Sequence, residues 1–177
     1  LPATSVAFGI LLALFLTFPF VAIGAEKGAE LQLYSDASQA KPGETITVGA
    51  YFSISSSWHI FWKEPGEAGL PTTIDVSAPS GFEVGEIQWP EPERFELSGS
   101  VSKGYSKEVM LLVPVHIGHD VSFGAKTLEV QVKWLDCDGS LCIRQKKSLP
   151  LTIEIGNASV PTHPQLFSSW RKKILDS

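Results

Sequence analysis

The sequence predicts an all-β domain, a two-sheet β-sandwich followed by a short C-terminal helical tail. Three observations carry that expectation. Period-two alternation recurs, most clearly in AKTLEVQVKWL at 125–135, where Leu128, Val130, Val132 and Trp134 share one face and Glu129, Gln131 and Lys133 the other. The chain is punctuated by 15 glycines and 12 prolines at turn-like positions. Before the tail, no internal stretch shows the spacing of an amphipathic helix. The 177 residues suffice for one such domain with a sizeable core. With 44% apolar and 19% charged residues, general disorder is excluded, and a formal charge of −5 argues against a nucleic-acid partner.

The elements follow in order. Residues 1–25 read as an export signal, because VAFGILLALFLTFPFVAIGA at 6–25 is uncharged and ends in Ala22, Gly24 and Ala25 before the polar EKGAE. Its length also suits a retained membrane anchor. Leu1 stands where a precursor has Met, and no basic stretch precedes the apolar run, so the expectation is a piece of a longer precursor. On either reading the chain from about Glu26 lies outside the cytoplasm, where a disulfide or a redox-active cysteine pair is chemically reasonable.

Residues 26–156 form the expected sandwich. Strand candidates are 29–36, 45–54 after the turn KPGE, 58–71, 72–79, 82–90, 93–99, 105–117, 125–135 and 149–156. Residues 157–177 are expected to be a linker, NASVPTHP, and an amphipathic tail. Leu166, Phe167, Trp170, Ile174 and Leu175 have helical spacing, with Arg171, Lys172 and Lys173 between them. The expectation is a terminal helix docked on the sandwich.

Chemistry concentrates in WLDCDGSLCIRQ at 134–145, which holds the only two cysteines, Cys137 and Cys142. If residues 138–141 form a hairpin loop, the two cysteines face each other across its mouth. Opposed β-carbons in a narrow pair lie about 4.5–5.5 Å apart, and a disulfide needs about 3.5–4.5 Å, so a modest contraction closes the bond. Closing so short a ring contributes only about 2 kcal/mol of loop entropy. The residues alone leave three roles open: thiol-disulfide exchange, a structural staple and a metal half-site. No nearby His or second cysteine pair completes a zinc set, so no metal is expected. Asp136 and Asp138 disfavour a thiolate and Arg144 favours one, which makes these three the charge-tuning candidates.

Other constellations are weaker. No GxSxG elbow, HExxH, P-loop or dinucleotide fingerprint occurs. His59, His116, His119 and His163 are scattered and read as surface or turn residues, and Glu91, Glu93 and Glu96 as solvated surface. Trp58, Phe61 and Trp62 read as core or rim packing.

WHIFWKEPGEAGLPT at 58–72, FEVGEIQWPEPERF at 82–95, GYSKEVMLLVPV at 104–115 and the cysteine segment resemble the amino-terminal periplasmic domain of DsbD and ScsB-type transmembrane thiol-disulfide reductases. The resemblance covers most of residues 30–156, and the tail QLFSSWRKKIL is similar to the segment that follows this domain in ScsB-like members. It implies an immunoglobulin-like sandwich in the periplasm, either tethered to the inner membrane by a covalent membrane domain beyond residue 177 or standing alone with a separate protein as its electron donor. It further implies protein-disulfide reductase activity without a bound cofactor. A thioredoxin-like domain or protein would be the electron donor and oxidised periplasmic thiol proteins the acceptors. In that scheme Cys142 forms the mixed disulfide, Cys137 resolves it, and an aromatic cap, Tyr105 or Phe95, shields the pair. The rival expectation is a secreted β-sandwich interaction module whose disulfide only pins a hairpin.

Overall fold

Strands form along the alternating and β-branched runs, and the turns fall at Gly, Pro and Asp. The computed structural model describes residues 28–97 and 99–176, so the export signal expected over 1–25 lies outside the described residues. In chain order the elements are β1 (Ala29–Ser35), β2 (Ala37–Ala40), β3 (Thr45–Ile54), β4 (Ile60–Gly66), β5 (Thr73–Ser77), β6 (Phe82–Val84), β7 (Glu93–Leu97), β8 (Ser100–Tyr105), β9 (Glu108–Ile117), β10 (Gly124–Cys137), β11 (Cys142–Ile155), β12 (Val160–Pro161) and α1 (Pro164–Leu175). Three sheets result, ordered β1-β3-β9-β6, β12-β2-β11-β10-β5 and β4-β8-β7. This is an all-β, immunoglobulin-like sandwich with a short C-terminal helix.

The core lies between the first two sheets. Val48, Ala50 and Phe52 of β3 and Val109, Leu111 and Val113 of β9 pack in one cluster with Leu128, Val130 and Val132 of β10. Phe52 meets Trp134 edge to face at 5.3 Å between ring centroids. β10 alternates cleanly until Trp134, with the polar residues on the outer face. By contrast β3 and β9 are buried almost continuously. Helix α1 supplies the reason, because it covers the outer face of β3. Phe167 is fully buried, and Trp170 lies edge-on to Tyr51 at 6.5 Å. Gly49 provides the seat: a β-carbon there would collide with Met110 and press on the Phe167 ring. A strand covered on both faces carries an unbroken apolar run.

Polar contacts fix the tail in place. The Arg171 guanidinium donates to Asp36 at 2.6 Å and to Thr47 Oγ1 at 2.9 Å, and Thr162 Oγ1 donates to the Ser35 carbonyl at 2.6 Å. Pro164 begins the helix where its missing N–H costs nothing, and Lys172 and Lys173 in the last turn complement the helix dipole.

Differences from the sequence expectation have local causes. ASQA and VP are too short and polar to signal the strands β2 and β12. The 82–90 run ends at Val84, after which only Gln88 bridges to Leu112. β11 begins at Cys142 rather than near 149, because the long partner β10 draws the polar RQKKS segment into its ladder. Residues 100–105, which end in the expected cap residue Tyr105, form β8, paired with both β4 and β7.

Truncating Phe167 removes a ring that closes the outer face. Phe167→Ala is expected to cost about 3 kcal/mol or more, within the range for buried aromatic truncation. Urea unfolding measures it, and a change under 1 kcal/mol would show that α1 is a passive appendage.

Candidate functional site

The site is the tip of the β10–β11 hairpin and what packs on it. The strands run antiparallel through 14 residues each, and their last registered pair is Cys137 opposite Cys142. Residues 138–141 close the turn. Asp138 Oδ1 accepts from the Ser140 N–H at 3.0 Å, the Ser140 hydroxyl at 3.0 Å and the Leu141 N–H at 2.9 Å. Gly139 has φ 93°, a conformation glycine adopts without steric cost. The sequence expectation that the two cysteines face each other across this loop therefore holds, and they are joined by a disulfide with Cα atoms 4.2 Å apart.

Hairpin chemistry then sets what Cys137 can do. The Asp138 N–H bonds the Leu141 carbonyl, so the adjacent cysteine pair is a narrow one without mutual backbone bonds. Its outward N–H and C=O are taken by His59: the Cys137 N–H donates to the His59 carbonyl at 3.0 Å, and the His59 N–H donates back at 2.9 Å. Cys137 is 1% exposed and packs with Phe61 and Leu135, whereas Cys142 lies on the exposed side.

Two buried titratable groups flank the pair. Asp136 is fully buried, and its Oδ1 accepts from the Ala29 N–H and the Trp134 indole N–H, each at 3.0 Å. Burial pushes its carboxyl pKa upward, against the pull of those hydrogen bonds, of Gln145 and of the Lys147 charge. His59, 6% exposed, stacks on Phe95 and meets Phe61 edge-on, both at 5.0 Å. Burial pushes the imidazole pKa below its ordinary value, opposed by the Asp138 charge. Its Nε2 is buried without a hydrogen-bond partner among the described residues.

The remaining candidates divide. Phe95 sits against the His59 ring and so beside the pair. Tyr105 is buried, its hydroxyl donating to the Pro90 carbonyl at 2.8 Å, and desolvation raises its pKa. Asp138 is engaged in the turn. Arg144 is exposed, opposite Leu135 in register, and forms no salt bridge among the described residues. His59 was missed as a site residue by sequence reasoning. The available signal was its place between apolar neighbours in WHIFW, which marks a buried rather than a surface histidine.

The expectation of a redox-active centre is corrected here. Cys137 and Cys142 form a fixed intramolecular disulfide, and among the described residues no free cysteine stands ready as a nucleophile. The protein-disulfide reductase activity expected through Cys142 and Cys137 is overturned by that closed bond, and the arrangement fits a structural disulfide. Among the described residues no group of three or more His, Cys, Asp or Glu is placed to hold a metal ion.

Fold and site together define a disulfide-pinned β-sandwich domain. The chain belongs to the family described as thiol:disulfide interchange protein DsbD, N-terminal, whose match covers residues 30–153. Among solved structures, it is similar to the N-terminal periplasmic domain of ScsB from Proteus mirabilis, with 20% identity and a TM-score of 0.62. That match covers 90% of this chain and 56% of the other, so the chain spans little more than half of that relative. The Neisseria meningitidis DsbD N-terminal domain in the reduced form aligns at 16% identity and a TM-score of 0.42, covering 73% of this chain and 90% of that one. No curated protein matches the chain in sequence. The family domain is periplasmic.

The two buried groups give opposite pH dependences. His59, with its folded pKa lowered, contributes stability that is present above about pH 6.5 and lost as pH falls through the folded value. Asp136, with its folded pKa raised, contributes stability that is full below its ordinary value of 3.8 and lost as pH rises through the folded value. Asp136→Asn keeps an acceptor for Ala29 and Trp134 but cannot ionise. It should therefore unfold at higher urea than the parent at pH 8, with the gain shrinking toward pH 4. A variant less stable than the parent at pH 8 would show that the ionised carboxylate is favoured in the fold.

Proposed function

We propose that the chain is a periplasmic protein-interaction module in which the Cys137–Cys142 disulfide is purely structural. Cys137 carries this conclusion, since its sulfur is closed in an intramolecular bond, its side chain is buried and both its backbone groups are held by His59. A bond anchored through its buried Cys137 half fixes the shape of the hairpin tip, and a fixed shape is what a docking surface requires. Around the tip, Leu141 and Ile143 are exposed apolar side chains, and an open cleft of about 560 Å³ is lined by Ile54, Trp58, His59, Phe95 and Lys107. The partners we assign by class are a thioredoxin-like domain or protein and oxidised periplasmic thiol proteins, bound without electron transfer through this pair. A covalent membrane domain beyond residue 177 would hold the module at the inner membrane, with residues 26–156 as the sandwich and 157–177 as linker and helix.

Thiol trapping tests the proposal. With a reduced thioredoxin-like protein present, the disulfide is expected to stay closed to maleimide labelling, with a reduction potential below about −300 mV. Replacing both cysteines by serine should lower stability by about 2 kcal/mol or less and leave partner binding intact. A trapped mixed disulfide with the partner would overturn the structural role.

A further inference from the structure

The three-stranded sheet β4-β8-β7 has two chemically distinct sides. Registered residues share a side and successive residues alternate. Phe61 is registered with Gly104 and Phe95 with Ser102, and these line the side toward His59 and Cys137. Trp62, Arg94 and Lys103 belong to the other side, together with the acidic Glu96, which is registered opposite Val101. The register of β4 shifts after Phe61, and Lys63 joins this side through its contact with the Trp62 ring. The ammonium groups of Lys63 and Lys103 each lie 5.1 Å from the centre of the Trp62 ring, so they are no more than about 10 Å apart. Arg94 is registered directly opposite Lys103.

Three features set this side apart, and Glu96 forms no salt bridge with its basic residues among the described residues. Like charges directly opposite one another weaken a ladder, and at separations near a Debye length salt does not erase the repulsion. In a chain of net charge −5 with 19 acidic residues, none of Lys63, Arg94 and Lys103 forms a salt bridge among the described residues. The indole Nε1–H of Trp62 is buried with no hydrogen-bond partner among the described residues, which is uncommon for a native donor. Stacking on the ring gives the two lysines partial compensation only.

We infer that the Trp62 side of this sheet is the docking surface for an acidic segment of a partner protein. Carboxylates of a Glu- or Asp-rich stretch engage Lys63, Arg94 and Lys103. As the lysines turn from the ring toward them, one carboxylate accepts the indole N–H. Val101, exposed on β8 two residues before Lys103, offers an apolar contact beside the charges. The inference rests on the interaction-module proposal and adds a second surface to it, on the side of this sheet opposite the hairpin tip, with its own partner chemistry.

The test uses the full chain and fluorescein-labelled octaglutamate as the probe. The Trp62 indole cross-peak, identified by its loss in Trp62→Phe, should shift saturably with octaglutamate and not with octalysine. Fluorescence anisotropy should show binding weakening steeply with salt, and Lys63→Glu, Arg94→Glu or Lys103→Glu should each weaken it at least fivefold. These exposed or half-exposed positions are expected to leave the circular dichroism spectrum unchanged. An unshifted Trp62 indole, binding indifferent to all three charge reversals, or a shift produced only by phosphatidylglycerol vesicles would overturn the inference. Its failure is separable from that of the module proposal, because the thiol-trapping and partner-binding measurements do not involve Trp62.

Discussion

Two backbone hydrogen bonds between His59 and Cys137 carry the hairpin's ladder into a third sheet, which also shares the sandwich core through Ile60 and Tyr105. On one side is the sandwich, whose second sheet ends in the β10–β11 hairpin. On the other is the three-stranded sheet built from β4, β7 and β8. Cys137 has free backbone groups only because the disulfide-bearing pair is a narrow one, and the narrow pair exists because Asp138 and Leu141 close the turn one residue further out. The junction then buries both faces of the last residues of β10. Trp134 and Asp136 point into one environment, Leu135 and Cys137 into another, which is why β10 stops alternating in its last four residues.

The same principle of double coverage accounts for how much of the fold was legible in the sequence. β10 up to Trp134 read clearly because one face is wet. β3 and β9 read as strands from their β-branched runs, but their unbroken apolarity gave no hint that a helix covers their outer face. Helical spacing in the tail pointed to Phe167 and Trp170, yet Gly49, which makes room for them, carries no signal on its own. The polar beginning of β11 was invisible because its ladder is dictated by the partner strand. At the site, the facing of Cys137 and Cys142 followed from the loop length. The burial of Cys137 did not, since Phe61 and His59 arrive from a distant segment. Two cysteines in a hairpin suit exchange chemistry and stapling equally well on paper, and a closed bond with its Cys137 half buried separates them.

Asp136 and His59 show what the junction costs. Both are polar groups held at the same end of the molecule in surroundings that disfavour their charged forms. Asp136 repays part of this by anchoring Ala29 and Trp134, so the first strand and the hairpin share one carboxylate. His59 contributes a flat ring between Phe61 and Phe95 while its backbone serves Cys137. Each residue works through shape or hydrogen bonding at a position where its ionisation is a liability.

The ring closed by the disulfide encloses only Asp138, Gly139, Ser140 and Leu141, and the last three of these are exposed. Exposed tips of this kind are where proteases cut. A cleavage inside the ring would leave both halves of the chain covalently linked and the β10–β11 ladder in register. The nicked protein would migrate as one species until reduced, so the most accessible peptide bonds at the hairpin tip are also the ones whose loss the fold is built to survive.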